Sequence, residues 1–129
     1  MQGFLDKLAG AIATAEGFFV AGSLPQRLNN PGDLRQAPWL QNPVLEHGFW
    51  AAPSLAAGIA GLYHQLALDV SRGWTLRQLI STYAPPGDNN NTENYIRETA
   101  RRLGIPYVPP EQANQETPLW EYMELAQIP

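Results

Sequence analysis

One acid in the first third of the chain has the setting that acid catalysis requires. In the stretch AIATAEGFFVAGSLPQRLNNPGDLR, residues Ala11 to Arg35, Glu16 stands between Ala15 and Gly17 and is followed by Phe18 and Phe19. Taking a carboxylate out of water disfavours its charged form and raises its pKa. Gly17 reads as a helix stop, which sets Glu16 at the negative end of the helix dipole, and that field acts in the same direction. The two effects predict an acid that keeps its proton near neutral pH. Cleavage of a glycosidic bond needs such a group, because the leaving oxygen must be protonated as the bond breaks. The competing reading is a surface acid at a frayed helix end with the phenylalanines in the core, since one perturbed acid identifies a site only statistically.

The elements that must hold this acid follow from periodicity and punctuation. Phe4, Leu5, Leu8, Ile12 and Ala15 fall at helical spacing and predict a first helix over about residues 2–17. A loop from Gly22 to Asp33 follows, its path fixed by Pro25 and Pro31, with asparagines suited to turns. Residues 34–52 lack helical period, and short strands near Leu34–Arg35 and Glu46 to Ala51 predict a hairpin. Trp39 and Trp50 read as core or loop packing rather than as sugar platforms. Ser54 caps a helix with the stripe Leu55, Ile59, Leu62, Leu66 and Val70, ended by Gly73. Gly58 and Gly61 within it predict the close approach of another helix. Thr75 with Gln78 is a capping box for a short helix that must stop near Tyr83, ahead of Pro85 and Pro86. The loop Ala84 to Asn91 is polar and proline-stiffened. Thr92 is expected to cap the next helix, with Tyr95, Ile96, Thr99 and Leu103 inward and a Glu93–Arg97 pair toward solvent, ended by Gly104. Tyr107 to Asn114 reads as an extended connector, and Thr117 with Pro118 opens a last helix carrying Leu119, Tyr122, Met123 and Ala126.

Read in order, Glu16-Gly17-Phe18, Asn29-Asn30-Pro31-Gly32, Leu34-Arg35, Gly48-Phe49, Pro53-Ser54 with Gly58, Tyr83-Ala84-Pro85-Pro86, and Thr92 with Tyr95 carry a resemblance. The pattern resembles the compact phage and bacterial muramidases of the lysozyme-like superfamily, endolysin-like proteins related to the soluble lytic transglycosylases. It covers roughly Met1 to Gly104, with residues 105–129 as a C-terminal extension of the same single domain. The resemblance implies a mainly α, lysozyme-like two-lobed helical fold with a small β-hairpin or ribbon, and a cleft for peptidoglycan glycan strands. Glu16 is then the catalytic acid. The implied glycan-binding residues are Asn29, Asn30, Asp33, Tyr83, Asn90, Thr92 and Tyr95, with Tyr83 facing the acid. Asp33 departs from the pattern, where asparagine is the more expected residue. It is either a second catalytic carboxylate or a tolerated change.

Three chemistries or roles stay open on the sequence. In hydrolysis a second carboxylate activates water or stabilises the oxocarbenium-like state. In lytic transglycosylation one glutamate suffices and the product ends in an anhydro sugar. A catalytically silent domain that binds wall or serves as a phage structural piece is the third, because fold does not fix function. A net charge of −4 argues against a nucleic-acid binder and lightly against a partner of anionic cell walls. With no cysteine, and only His47 and His64, far apart in sequence, the chain predicts neither disulfide nor metal site, and no cofactor is implied. The apolar run Leu8 to Val20 is broken by Glu16 and led only by Lys7, unlike a signal peptide, and no run reaches membrane-span length. The expectation is a monomer made in the cytoplasm that reaches the wall through a holin, a phage particle or a secretion machine.

Overall fold

The first helix forms where apolar residues recur every three or four positions, and it stops where glycine permits a left-handed turn. In the computed structural model, which describes residues 3–85, 87 and 91–126, helix α1 runs Phe4–Ala15. Leu8 and Ile12 are fully buried, with Ala9, Ala11 and Ala13 beside them. Ala15, expected on the apolar stripe, is exposed, because the helix leaves its packing in the last turn. Gly17 takes φ 80°, its N–H donates to the Thr14 carbonyl, and the Phe18 N–H donates to the Ala13 carbonyl. Those two bonds are the Schellman stop. Glu16 is thereby the C-cap residue, its own N–H still bonded to the Ile12 carbonyl at 2.9 Å.

The chain divides into two compact units, one of Ala9–Gln65 and the other of the chain before and after it, to Leu8 and from Leu66. In the first unit the expected loop after Gly22 contains a one-turn helix, α2, Leu24–Arg27. Ser23 caps it by accepting the Gln26 N–H, and Pro25 fits its first turn, a combination that favours helix over loop. The hairpin pairs β1, Leu45–Glu46, with β2, Phe49–Trp50, antiparallel, Leu45 opposite Trp50 and Glu46 opposite Phe49. His47 and Gly48 both have positive φ, 53° and 82°, as the tight primed turns need. The strands therefore differ from those expected: the Glu46–Ala51 stretch contains the turn itself. Leu34–Arg35 lies outside the pair, though the Leu34 carbonyl accepts the Trp50 N–H at 2.8 Å.

Helix α3, Leu55–Ser71, starts at the Ser54 cap, whose hydroxyl accepts the Ala57 N–H at 3.1 Å. Its buried face carries Gly58, Gly61, Leu62, Leu66 and Val70, while Leu55 and Ile59, expected in the core, are 46% and 42% exposed. The reason lies in the glycines. A Cβ on Gly58 would sit 1.6 Å from the Asn29 carbonyl oxygen, and one on Gly61 would sit 2.5 Å from the Trp50 ring. The close approach expected of another helix is made by a loop backbone and an indole. Trp50 is buried, and Trp39 meets it edge to face at 6.2 Å while donating its Nε1–H to Gln65 Oε1 at 2.8 Å.

In the second unit α4, Leu76–Tyr83, opens on the expected capping box and buries Leu76, Leu79 and Ile80. Helix α5, Thr92–Leu103, is capped by Asn91 rather than Thr92: the Asn91 side chain accepts the Asn94 N–H at 3.2 Å. Ile96, Thr99, Ala100 and Leu103 are buried, and Gly104 ends the helix at φ 73°. The connector expected to be extended winds into a 3₁₀ segment, Pro110–Gln115, with proline at its start. Helix α6 is Leu119–Ala126; Pro118 precedes it and bridges Thr75 instead of opening the helix. Leu119 is fully buried and Tyr122 stacks on Phe4, ring centroids 5.9 Å apart. The fold is mainly helical with one small hairpin, and among the described residues no helix is long and apolar enough to cross a membrane.

Candidate functional site

Glu16 is half-buried at the carbonyl end of α1, and the backbone that follows it is tied down twice. Ser23 Oγ donates to the Gly17 carbonyl at 2.8 Å, and Gln26 Nε2 donates to the Phe18 carbonyl at 3.3 Å. The Gln26 Oε1 also accepts the Gly22 N–H at 2.9 Å, which closes the loop on α2. These side chains hold the two carbonyls just past the helix end, so the acid stands on a fixed backbone. Phe18 and Phe19 meet edge to face at 5.2 Å, but Phe19 is 67% exposed and Val20 63%, so this part of the expected apolar setting faces water.

The loop Asn29 to Arg35 is built around Asn30. Its side chain is fully buried and makes three hydrogen bonds: Nδ2–H donates to the carbonyls of Leu34 and Trp50, and Oδ1 accepts the Leu34 N–H, each at 2.9 Å. Asn30 is therefore a latch between loop and hairpin and has no polar atom to offer a ligand, which corrects its expected role in glycan contact. Asn29 is half-buried at φ 54°, a left-handed conformation that asparagine tolerates, and presents its carbonyl to Gly58.

Asp33 is also left-handed, at φ 51°, with its N–H donating to the Asn30 carbonyl at 3.0 Å. Its Oδ1 is sealed from solvent and accepts no hydrogen bond. Burial raises its pKa above the usual aspartate value, and the nearby Arg35 guanidinium partly offsets this. Arg35 itself lies over the Phe49 ring, 4.7 Å from its centre.

The remaining expected residues belong to the other unit. Tyr83 is half-buried at the end of α4, and Tyr95 is half-buried on α5. Thr92 is buried, and its hydroxyl donates to the Ala84 carbonyl at 2.6 Å, joining the end of α4 to the start of α5. This internal use corrects its reading as a glycan contact. Asn90 lies outside the described residues. The set thus falls into two groups, Glu16, Asn29, Asn30 and Asp33 in one unit and Tyr83, Thr92 and Tyr95 in the other.

A polar cluster that sequence reasoning missed surrounds Arg77, in the first turn of α4. Its guanidinium binds both carboxylate oxygens of Glu93, and its Nη2 also donates to the Val108 carbonyl at 2.7 Å. Glu93 was expected to pair with Arg97 along the helix; the two-pronged bond to Arg77 wins because a guanidinium fork matches a carboxylate. Arg97 instead lies over the Tyr107 ring at 4.5 Å. The Arg77 hydrogen bond, with help from Tyr107, holds the Glu93 pKa below the usual glutamate value. One signal was available: a cation near a helix N-terminus opposes the dipole and implies a partner from elsewhere in the fold.

Among the described residues no three His, Cys, Asp or Glu side chains gather as metal ligands. Comparison with protein-family models, curated proteins and solved structures finds no match to the chain.

Proposed function

We propose that the chain is a peptidoglycan-cleaving enzyme of the muramidase type. It cuts the β-1,4 bond between N-acetylmuramic acid and N-acetylglucosamine, and Glu16 protonates the leaving oxygen. The observation that carries this reading is the placement of Glu16: half-buried, at the C-cap of α1, on a backbone fixed by Ser23 and Gln26. The ordered motifs that resemble muramidases supply the substrate class. Because that substrate lies outside the cytoplasm, the reading includes delivery by a holin, a phage particle or a secretion machine.

Asp33 bears on which chemistry follows. With Oδ1 sealed, that oxygen cannot hold an attacking water, and a one-glutamate route, lytic transglycosylation, is the second reading. The test is digestion of purified peptidoglycan by wild type and Glu16→Gln, with products weighed by mass spectrometry. Glu16→Gln should stay folded and lose about a hundredfold or more in rate, since an amide cannot donate the proton. Reducing ends identify hydrolysis and anhydro ends transglycosylation. A folded Glu16→Gln protein with wild-type activity removes Glu16 as the acid. A wild type that binds glycan without cutting it is a silent wall-binding domain.

A further inference from the structure

Residues 105–116 meet the rest of their unit around Arg77, with the Ile105 N–H also donating to the Ala100 carbonyl at 3.1 Å and Arg97 lying over the Tyr107 ring. The Arg77 side chain is 13% exposed, and around it meet the Glu93 carboxylate, the Val108 carbonyl and the Glu116 carboxylate, which accepts the Arg77 backbone N–H at 3.3 Å. Tyr107 completes the ring by donating its hydroxyl to Glu93 Oε1 at 2.6 Å. Arg77 belongs to α4, Glu93 to α5, and Tyr107, Val108 and Glu116 to the C-terminal segment, so a single guanidinium joins three pieces of chain distant in sequence.

We propose that residues 105–116 are a brace for the α4–α5 pair, with Arg77 its hub and a positioning residue. The setting of the helices that carry Tyr83 and Tyr95 then depends on a segment that supplies no glycan-contact candidate of its own. Arg77 Nε and Glu116 Oε1 are both sealed from solvent and both without a hydrogen-bond partner. A buried polar network that is only partly satisfied is weaker than its contact list suggests. Thr92 holds α4 to α5 at a second point, through the Ala84 carbonyl, so loss of the hub should loosen the pair without separating it.

The glycan consequence rests on the proposed function; the hub stands on geometry alone, and the experiment separates them. Full-length wild type, Arg77→Met, Arg77→Lys and Tyr107→Phe are compared by hydrogen exchange and by kinetics on peptidoglycan. In Arg77→Met the amides of α4, the first turn of α5 and residues 105–116 should lose protection together, by about tenfold or more, the equivalent of ~1.4 kcal/mol. Protection of Ala100 and Leu103 should persist. Arg77→Lys should not restore it, because an ammonium cannot present a two-pronged donor. With Glu16 untouched, KM should rise while kcat holds. Exchange that rises only in residues 105–116, or full rescue by lysine, overturns the brace. Should Arg77→Met fail to fold, Tyr107→Phe decides: a smaller loss in the same three segments supports the brace, and an unchanged α4 and α5 overturns it. A wild type inert toward glycan defeats the functional reading and leaves the exchange result to judge the brace.

Discussion

Replacing Asp33 by asparagine should make the protein more stable at neutral pH. The aspartate has one oxygen sealed from solvent without a hydrogen bond, and its burial disfavours the ionised form. A buried, unsatisfied polar group costs about 1–3 kcal/mol, more when charged. Asparagine keeps a polar atom at the sealed position, so only the charge part of the penalty is removed, and Arg35 already offsets part of that; the gain is at most about 1 kcal/mol. Asparagine adopts the left-handed φ of 51° at least as well as aspartate, so no backbone strain opposes the gain. For a chain of this length, ~1 kcal/mol corresponds to a rise in Tm of about 3–5 °C. The pH dependence follows from linkage. The folded-state pKa lies above the ordinary 3.8, so the folded protein binds the proton more tightly than the unfolded chain. The penalty is therefore absent at pH below 3.8, grows as pH rises through 3.8, and is complete above the raised folded value. Urea melts of both proteins from pH 3 to 8 measure it, at roughly constant m. Curves that coincide across the range, or a variant less stable at pH 7, would refute the argument. Activity is the second readout: in one-glutamate chemistry Asp33→Asn loses far less rate than Glu16→Gln, whereas equal losses make Asp33 a catalytic partner.

Asn30→Ala should lower stability by about 3 kcal/mol, from the three buried hydrogen bonds lost at roughly 1 kcal/mol each, measured by chemical denaturation. Gly58→Ala should cost at least ~3 kcal/mol, because a Cβ 1.6 Å from the Asn29 carbonyl forces backbone to move; an unchanged melting curve counts against that packing. Acid should loosen the Arg77 joint late. The Glu93 pKa is lowered, so its contribution is present above the ordinary 4.5 and is lost only as pH falls through the lower folded value, which amide exchange in residues 105–116 can follow.

Local chemistry in the sequence was a good guide to most helix ends, though it missed the Ser23 cap of α2 and put the α5 cap one residue late. The Gly17 and Gly104 stops, the Ser54 cap, the Thr75–Gln78 box and the helices between them follow from contacts three to five residues apart. Positions decided by distant partners were not legible. Leu55 and Ile59 match an apolar stripe by period, but the face of α3 that packs is chosen by the Asn29 carbonyl and the Trp50 ring, which only glycine admits. Asn30 and Thr92 look available for a ligand until the carbonyls that claim them, 20 and 8 residues away, are seen. Glu93 had a good helical partner four residues on and took a better one from α4. In the candidate site, therefore, the sequence located the helix end that carries Glu16, and it overstated the number of amides and hydroxyls free of internal bonds.

The contact between Gly58 and Asn29 joins main chain to the bare edge of a helix, with no side chain from the glycine. Such a joint cannot be tuned by drift at its own positions: exchange of Gly58 breaks it, and exchange of Asn29 disturbs only a left-handed turn. The spacing between α3 and the loop that leads from α2 to Asp33 is thus inherited as backbone geometry. A library that varies Arg27, Gln36 and other exposed positions of this unit can search widely while the frame holds, provided Ser23, Gln26, Gly58 and Gly61 stay fixed.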